Sequence, residues 1–86
     1  MKTKRTVVYG INNQYALDGV AFANQKAGFL VVDTIVDNID KVKALTILDA
    51  DVIIVCAQPD IMEEAEIAVD IEQHFAKSEI EVQLIK

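Results

Sequence analysis

The 86-residue chain predicts a small α/β domain, a four-stranded and mostly parallel sheet with helices on both faces. Three features carry that reading. Runs of β-branched apolar residues alternate with helix-period segments in the order β-α-β-α-β-α-β. The run "DVIIVCA", Asp51 to Ala57, is apolar without alternation, as a strand covered on both faces must be. The last run, "EIEVQLIK", sets Ile80, Val82 and Leu84 against Glu81, Gln83 and Ile85, the pattern of a half-exposed edge strand. Short connections with right-handed crossovers then favour the parallel sheet. The alternative is an antiparallel ferredoxin-like sandwich built from two βαβ halves, residues 5–37 and 51–86, with "NIDKVKALTIL" reduced to a connector.

The first strand is "RTVVYG", Arg5 to Gly10, halted by its glycine. In "INNQYALDGVAFANQKAG" the spacing of Ala16, Val20, Ala23 and Ala27 marks one helical face. Asn12 or Asn13 is available as N-cap, and Gly28 is the expected stop after Lys26. That face is small-sided and predicts close packing on the sheet. Close packing also explains Gly19, which lowers helix propensity by about 1 kcal/mol relative to alanine. "FLVVDTIVD", Phe29 to Asp37, is the second strand.

Asp37 or Asn38 can cap a short second helix in which Ile39, Val42, Leu45 and Leu48 recur every third residue. After the third strand, Asp60 and Glu63 form an acidic analogue of a capping box. Glu63, Glu64 and Glu66 then fall where the helix dipole favours negative charge. In this last helix the apolar residues cover more than half of the circumference, wider than one sheet contact requires. Ile67, Ile71 and Phe75 are accordingly expected to meet another subunit or a protein partner, while Met62 is assigned to the core.

Composition narrows the function classes. With 52% hydrophobic and 26% charged residues the chain has the balance of a globular domain, and residues 1–86 leave room for one. No apolar run approaches the roughly 20 residues of a membrane span, and no signal-peptide core follows "MKTKR", so a cytoplasmic protein is expected. A net charge of −6, with acidic residues gathered in "EEAEIAVDIE", disfavours a nucleic-acid partner. The cluster Lys2, Lys4 and Arg5 reads as a solvated terminus. One cysteine and one histidine, Cys56 and His74, cannot supply a structural zinc site. Asp33, Asp37, Asn38 and Asp40 lack the spacing of a calcium loop. No P-loop, dinucleotide fingerprint or serine triad is present, so neither metal nor cofactor is expected.

In an open parallel sheet, ligands bind beyond the carboxyl ends of the strands where the strand order reverses. The first and third strands should flank that point. Their loops hold Gly10, Asn12, Asn13 and Gln58, whose amides and side chains make them candidates for binding phosphate or a small anion. Cys56 ends the third strand at the same level and is the candidate nucleophile. A reactive thiolate needs a nearby cation or a helix N-terminus, and only the second is at hand. Inert burial is the commoner state of a thiol on an apolar strand.

"ADVIIVCAQPDIM" resembles the corresponding strand of the IIB components of bacterial sugar phosphotransferase systems, lactose/cellobiose type. Ala50, Asp51, Val52, Gln58 and Met62 stand at the family's spacing, and the element order agrees. The resemblance implies a flavodoxin-like three-layer sandwich and a place in sugar uptake. In that family the phosphoryl group rides on a cysteine at the end of the first strand, before a loop rich in Gly, Ser and Thr. Here "VVYGINNQYALD" places Tyr9 and Gly10 at that point, with no cysteine, serine or threonine in the segment.

The function expected from these residues is a non-catalytic binding or regulatory module, working through a homodimer or a protein partner. A phosphoryl carrier using Cys56 and a small anionic-ligand sensor are the alternatives.

Overall fold

Strands β1 (Lys4–Gly10) and β3 (Val52–Cys56) lie side by side at the centre of one sheet, flanked by β2 (Phe29–Val36) and β4 (Glu81–Ile85). The computed structural model describes residues 3–36, 38–57 and 61–85. The sheet order is β2-β1-β3-β4 and every pairing is parallel, which is the predicted arrangement and excludes the antiparallel ferredoxin-like sandwich. Helix α1 (Asn13–Asn24) covers one face; α2 (Ile39–Lys43) and α3 (Met62–His74) cover the other. The result is a flavodoxin-like three-layer sandwich.

The unbroken apolar run predicted the burial of β3. All five residues from Val52 to Cys56 are buried, and Val7, Val8 and Tyr9 of β1 join them. Ile53 and Val55 point with Val7 and Tyr9 toward α2 and α3, where Val42, Ile71, Phe75 and Ile80 complete the larger core. Val52, Ile54 and Val8 face α1 and pack with Ala23, Val20 and Phe22. β2 and β4 are edges, as the exposed positions along both strands indicate. Between Thr6 and Val7 the β1–β2 register skips Val32, a bulge in this edge strand, along which Leu30 and Val32 are exposed.

Two glycines set how closely α1 sits. A Cβ at Gly10 would stand 2.3 Å from the backbone nitrogen of Ala16, and one at Gly19 would stand 2.5 Å from Val8 Cγ1. Neither leaves room for a methyl group. Asn12 is the N-cap of α1, its Oδ1 accepting from Tyr15 N at 3.0 Å. The helix ends at Asn24, before the predicted stop. Gly28 instead supplies the positive φ of 84° in the turn into β2, where its carbonyl accepts from Lys4 N at 2.7 Å.

α2 is shorter than its periodicity predicts. Asn38 caps it, accepting from Lys41 N, but the helix stops at Lys43. Thr46 N and Oγ1 both donate to Asp49 Oδ2, at 2.8 and 3.1 Å, and Asp49 N donates back to Thr46 O. These side-chain bonds hold a turn where a third helical turn was expected, leaving Leu48 83% exposed. Arg5 fastens this turn to the sheet rather than lying in a solvated terminus. Its guanidinium donates to the carbonyls of Ile47 and Leu48 and to both carboxylate oxygens of Asp51. The bond to Asp51 raises the Arg5 pKa further. Lys4 stands over the Phe29 ring at 5.8 Å, and Lys2 lies outside the described residues.

α3 begins one residue later than the sequence predicts. Ile61 is its N-cap and makes no side-chain cap bond, so Glu63 falls one position short of a capping box. Asp60 lies outside the described residues. Beyond their shared core, polar contacts join α3 to α2: Lys43 Nζ to Asp70 Oδ2 at 2.6 Å, and His74 Nε2 donating to the Lys43 carbonyl at 2.9 Å. No described helix is long and apolar enough to cross a membrane.

Candidate functional site

The strand order reverses between β1 and β3, where the sequence places the ligand crevice. Gly10 and Cys56 are direct register partners there, so two of the predicted site residues meet at the ends of adjacent strands. Their surroundings give each a structural task. Gly10 is buried against the start of α1, where the Ala16 backbone leaves no room for a side chain. Asn12 spends its carboxamide oxygen on the helix cap. Asn13 stands apart from this pair. It lines a groove of about 450 Å³ between α1 and β2 with Leu17, Val20, Thr34 and Val36. Gln58, the fourth candidate, lies outside the described residues.

Cys56 is 6% exposed, and its side chain lies beneath α1, with its Cβ 3.8 Å from where a Cβ on Gly19 would be. Burial pushes the thiol pKa up, and the negative charges of Asp18 and Glu64 push it the same way. Tyr15 belongs to this cluster: desolvation raises its pKa first, and Glu64, Cys56 and Asp18 add to the rise. A thiol held neutral in a negative field is a poor nucleophile and a poor acceptor for a phosphoryl group. No group of three or more metal-ligating side chains is found among the described residues. The sequence showed Cys56 plainly but gave no signal that Tyr15, Asp18 and Glu64 would come near enough to act on it electrostatically. Their juxtaposition depends on α1 and α3 reaching the end of β3 from opposite faces of the sheet.

The interface residues need a larger correction. Ile71 is fully buried, Phe75 is 5% exposed, and Ile67 packs half-buried against the same core. All three point inward because β1 and β3 present an apolar face that α3 must cover. The apolar residues left outside are others. Met62, which the sequence assigned to the core, is 77% exposed, and Val69 is 46% exposed. They stand seven residues apart on the side of α3 opposite Ile71. With Ala65 they line an open groove rimmed by Glu66, Asp70 and Gln73. Ala65 and Val69 also border a second cavity, of about 130 Å³, between α3 and the edge strand β4. Val55 of β3 and Ala57 just after that strand line it on one side, Leu84 and Ile85 of β4 on the other. The two depressions therefore form one apolar surface. The seven-residue interval from Met62 to Val69, out of phase with Ile67 and Ile71, was the sequence signal for it.

Compared with protein-family models, characterised proteins and solved structures, the chain gives no significant match.

Proposed function

We propose that this domain is a non-catalytic binding or regulatory module on a IIB-like scaffold, acting in the cytoplasm by associating with a protein partner through the outer face of α3 and the adjoining α3–β4 cleft. One observation carries the reading. Met62 and Val69 are large apolar side chains turned to solvent on a helix whose opposite side already satisfies the core. A fold needs only one such stripe per helix, and a second exposed one marks a contact surface. The state of Cys56 supports the non-catalytic part, since the thiol is buried and both its burial and the field of Asp18 and Glu64 hold it neutral.

The test is complementation in cells that lack the chain. Cys56→Ala is expected to replace the wild-type protein fully, and the double variant Met62→Asp/Val69→Asp to fail although it folds. The opposite pattern returns the function to the thiol.

A further inference from the structure

We infer that the partner seated on the α3–β4 face is a basic amphipathic helix, with its apolar stripe along Met62, Ala65 and Val69 and its cations over the acidic flank of α3. The inference rests on the association proposed above and names the chemistry of the partner. Charge complementarity carries it. Glu63, Glu66 and Asp70 are exposed along one side of α3, which has no lysine or arginine from Met62 to His74. Lys43, which reaches this flank from α2, pairs with Asp70 at 2.6 Å, so the charge offered to a partner there is that of Glu63 and Glu66. The surface thus combines an apolar strip with an acidic border, the complement of a helix that is apolar on one side and cationic on the other. Shape agrees with charge. The groove follows the helix axis through Met62, Ala65, Val69 and Gln73, and the cavity of about 130 Å³ beside it offers a pocket for an apolar anchor.

A second copy of this chain is a poor occupant for the same reason. An antiparallel two-fold pairing across the groove would set the acidic flank against itself, and any pairing would join chains that each carry a net charge of −6.

The experiment titrates the whole protein with three synthetic peptides about four turns long. One is a leucine/lysine amphipathic helix, one has the same composition scrambled, and one replaces lysine with glutamate. The amphipathic basic peptide is expected to saturate a single site, at least about tenfold tighter than the scrambled one, a difference of about 1.4 kcal/mol. Met62→Asp/Val69→Asp should remove that advantage, and Glu63→Lys/Glu66→Lys should transfer it to the glutamate peptide. Equal binding of the scrambled peptide, or binding indifferent to Val69, overturns the inference as bulk electrostatics. A dimer in sedimentation that the Met62/Val69 variant abolishes overturns it in favour of a second copy. If no peptide binds while the Met62/Val69 variant still fails in cells, the basic-helix chemistry falls and the association stands. If that variant also complements, both fall.

Discussion

Cys56 packs under Gly19: a Cβ added to that glycine would lie 3.8 Å from the cysteine Cβ, and α1 closes over the thiol from above. The approach is possible because the underside of α1 is made of Ala16, Gly19 and Ala23, all buried. The helix that caps the end of β3 therefore also seals the one residue whose chemistry the sequence leaves open.

The seal is measurable as reactivity. A small alkylating reagent should modify Cys56 in the native protein far more slowly than a free thiol, with an apparent pKa above the ordinary value near 8.5. Fast modification at neutral pH would show an open, activated thiolate instead.

Stability should depend on pH in a direction set by the same burial. The folded-state pKa of Cys56 is raised, so its contribution to stability is complete below the unfolded pKa and is lost as pH climbs through the folded one. Urea unfolding of the wild type should weaken relative to Cys56→Ala above about pH 8.5 and run parallel to it below. Tyr15 shifts in the same sense, in part through Cys56 itself, so the comparison reads the thiol together with its coupling to Tyr15.

The two glycines under α1 should respond unequally to alanine. At Gly19 the clash is with a side-chain methyl of Val8, so Gly19→Ala should destabilise by about 1–2 kcal/mol even though alanine favours the helix by about 1. At Gly10 the clash is with the Ala16 backbone at 2.3 Å and 2.6 Å, and the loss should reach about 3 kcal/mol or more. Denaturant midpoints of the two variants give the order directly.

The inner and outer sides of α3 should separate in the same way. Ile71→Ala empties a fully buried position and should lower stability by about 2–5 kcal/mol. Val69→Asp changes an exposed position and should shift the midpoint by less than about 0.5 kcal/mol while weakening association.

Arg5 should matter through one turn only. Its guanidinium spans the carbonyls of Ile47 and Leu48 and the Asp51 carboxylate, and Asp51 N donates back to Arg5 O at 2.8 Å. In Arg5→Ala the amides of residues 46–51 should exchange faster, while those at the centre of β3 hold their protection. Lysine cannot reproduce the fork, so Arg5→Lys should resemble the alanine variant more than the wild type.

Local signals in the sequence located most of the fold. The continuous run of β3 and the caps Asn12 and Asn38 each follow from chemistry within a few residues, and each is found where expected. β4 is the half-exposed edge that was expected, but its alternation lapses at Leu84, which is 44% exposed beside the cleft with α3. The length of α2 was not legible, because the helix period of Leu45 and Leu48 competes with the Thr46–Asp49 side-chain bonds and the tertiary grip of Arg5. In α3, apolar residues occur on both sides, and periodicity cannot say which side meets the sheet. The sequence therefore assigned Ile71 to the surface and Met62 to the core, and the packing reverses them. At the strand ends the pairing of Gly10 with Cys56 was legible from topology, while the acidic setting of the thiol was not.

The most direct measurement is the elution of the chain from gently lysed producing cells, for the wild type, Cys56→Ala and Met62→Asp/Val69→Asp in parallel. Wild type and Cys56→Ala should both elute well above the 9.5 kDa of the free chain, and the α3 variant should fall back to it. A wild-type chain that elutes alone, or an α3 variant that stays in the larger species while Cys56→Ala leaves it, would contradict association through this face.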